Sequence, residues 1–308
     1  MIKAIETLSR FYTMSKPLVS VIVPTKNSAA TLEACLKSIR EQSYKNIELI
    51  VVDNFSTDAT QEIAKKYADK VFEKGPERSA QRNFAALNTI GTFVVFVDSD
   101  MELSKEVTTD CVTEIDRDSR TLGVVIPEES FGHGFWAQCK KLERSFYVGI
   151  SFMEAARFFN KEAFNQAGGY NEKMVSGEDW DLSQRVEKLG KLGRITSFIY
   201  HNEGKISLLQ TMRKKYYYAR EFSNYTTAND GNSNVKNQTS ILGRYALFFS
   251  QPSKLFRNPV IGIGMLWMKT CEFLWGGIGY LTASLRKSTV KVYESKSQGY
   301  DRNISEII

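Results

Sequence analysis

Glycine is missing from the first 74 residues of this 308-residue chain, and the first one is Gly75. Neither GxGxxG nor GxxxxGK[ST] can therefore follow the first apolar run. A dinucleotide enzyme or a P-loop nucleotidase needs those glycines so that backbone can approach phosphate closely, so both classes are excluded. The four cysteines, Cys35, Cys111, Cys139 and Cys271, lie far apart with no CxxC pair. That spacing argues against a zinc site or a disulfide framework and for reduced thiols in a cytosolic domain. Histidine occurs only at 133 and 201. Residues 1–17 carry Ile2, Ile5, Leu8 and Phe11 at helical spacing, but no continuous apolar core of the length a secretory signal requires. They read as an amphipathic extension, and export by that route is not expected.

With 42% hydrophobic and 25% charged residues, disorder is not the default, and the length suits one large domain plus an appendage. VSVIV (Val19 to Val23) and IELIVV (Ile47 to Val52) are short β-branched runs, separated by a helical pattern that puts Leu32, Leu36 and Ile39 on one face. A second helix is expected over about Ala59 to Tyr67, a short strand near Val71, and a third helix over about Ala80 to Asn88. The strand FVVFV follows. Alternation of this kind predicts an α/β fold: a mostly parallel sheet with helices on both faces. Ligands of such sheets bind outside the carboxyl ends of the strands. PTKN after the first strand, Asp53 after the second and the Asp98-to-Asp100 segment after the fourth should thus share one rim.

The run Phe93 to Val97 ends in Asp98, Asp100 and Glu102. In an extended chain, positions two apart point to one side. Asp98 and Asp100 are then expected to aim two carboxylates at one point beyond the strand, where they either repel each other or hold a cation. With no glycine amides to cradle a phosphate, an Asp-held Mg²⁺ or Mn²⁺ bridging to diphosphate oxygens fits the pattern.

VSVIVPTKN, IELIVVDNFSTD, ERSAQRNFAALNTIGTFVVFVDSD and SGEDWDLSQRV, in that order over Val19 to about His201, together resemble a family 2 glycosyltransferase with the GT-A fold. A DxD alone is common; four linked motifs are specific. The resemblance implies a nucleotide-diphospho-sugar donor and a divalent metal. Pro24, Thr25 and Asn27 of PTKN, with Asp53 and Asn54, would bind the nucleoside, and Arg78 the base or diphosphate. Asp98 would lie near ribose or metal and Asp100 on the metal. Asp179 matches the catalytic base of inverting members, with Glu178 and Trp180 at the acceptor site. Many relatives show two aspartates where this chain has Asp53-Asn54, and Asn54 can both accept and donate. Other readings stand beside these. Arg78 and Arg82, four apart on a helix, can be solvated, and Asp179 can be a helix N-terminal acid that the helix dipole stabilises.

Beyond a helix ending near Gly190, RITSFIYHNEG reads as a strand running into His201, which is either a third metal ligand or a structural hydrogen-bonder. His133, in FGHGFW, borders the acceptor site or is an exposed loop residue. Lys205 to Lys291 holds 13 Lys and Arg against 3 acids, so the whole basic excess lies there. Gln210, Arg213 and Lys214 faintly resemble the QxxRW signature of cellulose-synthase-like enzymes. Arg213 would keep a diphosphate role, while Lys214 in place of the Trp argues against processive polymerisation.

TTANDGNSNVKNQTS reads as a linker. Pro259 to Leu285 contains only Lys269 and Glu272 as charges. As a helix it is long enough for one bilayer span. Basic residues on both sides fit a re-entrant or interfacial helical pair better, and Lys269 and Glu272 can pair at i, i+3.

The chain thus divides into the extension 1–17, a GT-A catalytic domain over 18–204, a basic membrane-associated helical region over 205–291 and a polar tail over 292–308. The expectation is an inverting hexosyltransferase on the cytoplasmic face of a membrane, with membrane lipids as partners and no nucleic acid. Its acceptor would be a lipid-linked glycan. The alternatives are a polyprenyl-phosphate sugar synthase, a nucleotidyltransferase and a catalytically silent nucleotide-sugar-binding membrane protein.

Overall fold

The structure, a computed structural model, describes residues 16–222, 225–226, 229 and 233–305, without the side chains of 284 and 286–305. The N-terminal extension expected over 1–17 therefore falls almost wholly outside the described residues. The chain forms two compact units, Met1–Phe131 with Tyr147–Glu172 and Glu178–Glu203, and Gly132–Phe146 with Lys173–Gly177 and Gly204–Ile308.

In the first unit the order is β1 (Val19–Thr25), α1 (Leu32–Arg40), β2 (Ile47–Asp53), α2 (Thr60–Tyr67), β3 (Lys70–Glu73), α3 (Arg78–Leu87) and β4 (Phe93–Phe96). There follow β5 (Met101–Leu103), α4 (Val107–Arg117), β6 (Thr121–Val125) and β7 (Glu128–Phe131). After the excursion into the second unit come β8 (Ala156–Asn160), α6 (Lys161–Gln166), α7 (Glu178–Glu187), β9 (Lys191–Arg194) and β10 (Ile199–Asn202). Seven strands form one sheet in the order β3-β2-β1-β4-β8-β6-β9. It is parallel except where β8 runs against β4 and β6.

Strand alternation divides the core. Val19, Val21, Val23, Leu49, Val51 and Val95 pack with Leu32, Leu36 and Ile39 of α1 and with α4. Ile22, Ile50, Val52, Val94 and Phe96 face the other way, onto α3, α6 and α7. Each such Leu or Ile contributes roughly 1.5–3 kcal/mol by leaving water, and the expectation of helices on both faces is met. RITSFIYHNEG holds the expected strand into His201, β10, while its first residue, Arg194, closes β9. β9 joins the large sheet, and β10 joins a second, three-stranded sheet in the order β5-β10-β7. There His201 pairs with Met101 on one side and Ser130 on the other, which brings the turn after β4 beside His201.

The second unit contains α5 (Phe135–Ser145), α8 (Leu208–Glu221), α9 (Ser233–Thr239), α10 (Ile241–Phe249), α11 (Pro252–Leu255) and α12 (Pro259–Ser305). α8 opens with a capping box between Ser207 and Gln210. Two expectations are corrected here. The polar linker contains α9. The segment expected to fold as a helical pair is one continuous helix, because its glycines fall at helical positions rather than forming a turn. That helix continues through 292–305 of the polar tail. Among the described residues no helix is long and apolar enough to cross a membrane. The expected Lys269–Glu272 pair forms at 2.7 Å. It belongs to a closed ring of buried charges with α5: Lys140 meets Glu143 at 2.7 Å and Glu272 at 3.1 Å, and Lys269 meets Glu143 at 2.6 Å. All four cysteines are buried thiols.

Candidate active site

β1 and β2 end in register at Thr25 and Asp53, and the side-chain amide of Gln81 ties them together by donating to the carbonyls of Thr25 (3.0 Å) and Val52 (2.6 Å). Pro24 is buried within β1, and Thr25 keeps a buried hydroxyl with no hydrogen-bond partner. Asn27, with φ 47°, accepts from the Thr57 amide at 2.9 Å and joins the two loops. Asp53 is fully buried. Its carboxylate accepts from the Ser56 amide (2.8 Å), the Ser56 hydroxyl (2.5 Å) and Gln61 (3.0 Å). These bonds fix the loop that follows β2. Asn54 donates its amide to the Pro76 carbonyl at 2.5 Å, leaving the oxygen as the accepting end. A Cβ on Gly75 would stand 2.5 Å from that oxygen, so a side chain there would have to displace Asn54. Between these loops and α2 stands Phe55, 60% exposed and at φ 51°.

The centre of the site is Arg82. Far from being solvated, it is 0% exposed. Its Nη2 meets Asp98 Oδ1 at 2.6 Å, and its Nη1 meets Asp179 Oδ1 at 3.0 Å and Glu178 Oε1 at 3.5 Å. The guanidinium lies 4.9 Å from the Tyr170 ring centroid. Arg157 approaches the other oxygen of Asp98 at 3.5 Å. Burial alone would raise the Asp98 carboxyl's pKa, but Arg82, Arg157 and Arg78 outweigh it and hold the group well below the usual carboxylate range. Glu178 is buried, and its Oε1 meets Arg78 Nε at 2.8 Å. Burial and the neighbouring Asp179 push its pKa up against the pull of Arg78 and Arg82. Its side chain is 2% exposed, between the guanidiniums of Arg78 and Arg82. Trp180, partly exposed, donates its indole N–H to the Met153 carbonyl at 3.3 Å.

The expectation that Asp98 and Asp100 converge on one point is not met. β4 ends at Phe96 and the chain turns over 99–100, so the two-residue alternation of an extended strand does not apply. Asp98 faces guanidiniums, while Asp100, 42% exposed, lies 3.3 Å from His201 Nε2. On the other side of the imidazole, Glu128 Oε2 stands 3.9 Å from Nδ1, and Glu128 Oε1 meets Arg157 Nε at 2.6 Å. Among the described residues no three His, Cys, Asp or Glu side chains gather as a metal site. Asp100 and His201 would offer one oxygen and one nitrogen to an ion at this rim. That fits an ion whose other positions are taken by water and substrate phosphate, as Mg²⁺ and Mn²⁺ favour. Arg213 lies exposed on α8 in the second unit, where His133 is an exposed loop residue.

Sequence reasoning missed Arg157 and Glu128 and undervalued Arg82. Arg157 had a signal, a charge inside the otherwise apolar strand ARFF. Arg82 shares the spacing of Ser79 and Ala86, three before and four after, which marks the buried face of α3. Glu128 carried no signal.

The sheet and rim define a nucleotide-diphospho-sugar transferase fold. A mannosyltransferase from Pyrobaculum calidifontis, solved in complex with GDP-Man and Mn²⁺, superposes with a TM-score of 0.58 at 16% identity, over 91% of this chain and 94% of that one. Residues 20–170 match the model of the family described as Glycosyl transferase family 2. A PGL/p-HBAD biosynthesis glycosyltransferase of Mycobacterium tuberculosis is 30% identical over 183 residues, 56% of this chain and 70% of that one. The chain belongs to glycosyl transferase family 2. Glycosyltransferase GlyA of Streptococcus pneumoniae is 42% identical over 88 residues, 27% of this chain but 13% of that longer protein.

Proposed function

We propose that this chain is an inverting, metal-dependent glycosyltransferase that moves a hexose from a nucleotide-diphospho-sugar to a hydroxyl of a lipid-carried glycan at the cytoplasmic face of a membrane. The observation that carries the reading is the Arg82 bridge. One buried guanidinium holds both Asp98, at the donor rim, and Asp179, at the N-terminus of α7. The donor-side carboxylate and the base are thereby fixed about a single planar group.

In the proposed reaction the acceptor oxygen attacks the anomeric carbon while the bond from that carbon to the diphosphate oxygen breaks. Asp179 accepts the hydroxyl proton. Its Oδ1 is paired with Arg82, so Oδ2 is the accepting atom. The nucleoside diphosphate leaves with the bonding electrons, and a single displacement inverts the centre. Asp100 and His201 would hold the divalent ion. Bound there, it would offset the charge on the departing diphosphate. Arg78 adds positive charge at the same rim, and Arg82 fixes the geometry, which supplies much of the remaining rate.

The test is Asp179→Asn, assayed for transfer and for donor binding by thermal shift against UDP-, GDP- and TDP-sugars with and without Mn²⁺. Transfer is expected to fall about 10²–10⁴-fold with donor binding retained. Unchanged transfer would refute the base assignment and favour the polyprenyl-phosphate synthase, where a phosphate oxygen attacks and no base is needed. Donor binding by the unsubstituted protein without turnover on any acceptor would leave the silent binding protein.

A further inference from the structure

α12 has its polarity reversed. From Pro259 to Leu285 its only charged side chains, Lys269 and Glu272, point inward and are buried in the ionic ring with Lys140 and Glu143 of α5. Along one face it exposes Val260, Ile263, Trp267, Leu274, Ile278 and Leu281, 49 to 68% exposed. At about 100° per residue these six fall within an arc of about 60°, and at about 1.5 Å per residue the stripe is about 31 Å long. A helix facing water carries its charges on the outside. A narrow apolar stripe of this length is larger than the scattered apolar residues normal on a soluble surface.

We propose that α12 lies flat in the headgroup layer of an anionic membrane, with this stripe turned into the lipid. The inference rests on the membrane location proposed above and names the surface that makes the contact. Charge decides between lipid and a second copy of the chain. The stripe is entered from Arg257, which is exposed, and is followed in the sequence by Arg286, Lys287 and Lys291. Two copies laid stripe to stripe, parallel or antiparallel, would set one basic flank of the sequence against another at both ends. Anionic headgroups complement them, at about 1 kcal/mol for each basic residue near the surface. Trp267 on the stripe and Trp275 flanking it suit the boundary between acyl chains and water. The inward ring explains how a helix bearing a lysine and a glutamate can take this position. Those charges are compensated inside the unit and never meet lipid.

The experiment is flotation of the full chain with vesicles of phosphatidylcholine alone or mixed 7:3 with phosphatidylglycerol. Size-exclusion chromatography with light scattering is run on the same protein. The unsubstituted chain is expected to float with the anionic vesicles only. Leu274→Glu with Leu281→Glu, both solvent-facing, should lower that binding at least tenfold while leaving the circular dichroism and thermal shift with nucleotide-sugar unchanged. Should that pair compromise folding, Arg286→Gln with Lys287→Gln and Lys291→Gln tests the electrostatic half, again with at least a tenfold loss. Flotation that ignores both sets of substitutions overturns the proposal. So does a dimer that the Glu pair converts to monomer, which would assign the stripe to a second copy. Donor binding and transfer to a detergent-solubilised acceptor need no vesicles, so failure of the transferase reading shows separately from failure of this one.

Discussion

Replacing Arg82 with methionine keeps the bulk of a fully buried side chain and removes the charge shared by Asp98, Asp179 and Glu178. Removing one partner of a buried pair costs about 3–5 kcal/mol, because the remaining charge stays desolvated. Asp98 and Asp179 are 21 and 26% exposed on their side chains. Water relieves part of that cost, which favours the low end, about 3 kcal/mol. At roughly 2–4 °C per kcal/mol for a domain of this size, the unfolding midpoint should fall roughly 6–12 °C. The pH dependence follows from the depressed Asp98 carboxyl. A carboxyl that titrates lower in the folded than in the unfolded state contributes stability above pH ~4 and loses it as the pH falls below. Without Arg82 that contribution shrinks, so the gap between the two proteins should narrow below pH ~4. Arg82→Lys keeps the charge but not the fork. It should lose less stability, yet transfer should still fall about a hundredfold through misplacement of Asp179, with kcat reduced more than donor KM is raised. Thermal unfolding followed by tryptophan fluorescence, together with initial transfer rates, measures both effects. If Arg82→Met moves the midpoint by less than about 2 °C, or Arg82→Lys transfers at the full rate, the bridge is not the organising contact.

Two further outcomes are expected. Burial would raise the Glu272 carboxyl, but Lys140 and Lys269 overcome it and pull it down to about 2. A folded pKa below the unfolded one gives stability that is complete above pH ~4.5 and is lost as the pH falls below it. An acid titration of the unfolding midpoint should lose that dependence in Glu272→Gln. Glu128→Gln should weaken the orientation of His201 and raise the half-saturating Mn²⁺ concentration about 10–100-fold, with metal-free nucleotide binding unchanged. An unaltered Mn²⁺ titration would remove Glu128 from that role.

The alternation of β-branched runs with helical patterns was legible because local periodicity and tertiary burial coincide. Val19, Val21 and Val23 face one helical layer and Ile22 the other. The places of Asp98 and Asp179 near each other were legible only through linked motifs, since 81 positions separate them. The misreading of Asp98 and Asp100 came from extending strand geometry two residues beyond the last hydrogen-bonded pair. The helical pair expected over 259–285 came from reading positive charge on both flanks as a sign of a re-entrant or interfacial pair rather than a single crossing. The fold instead turns Lys269 and Glu272 inward, onto partners on α5 more than 120 residues earlier. No local pattern reveals that partnership. Glu128 acquires its place the same way, through β10 laid beside β7.

Burial of every native thiol has a practical consequence. Cys35 and Cys111 are pushed well above the ordinary thiol range by burial, and Cys139 is pushed up to about 11, so these three carry little thiolate at neutral pH. A single cysteine introduced at exposed Thr282, one position from Leu281, would meet maleimide while all four native thiols are buried. An environment-sensitive dye could then be attached without first deleting any natural residue.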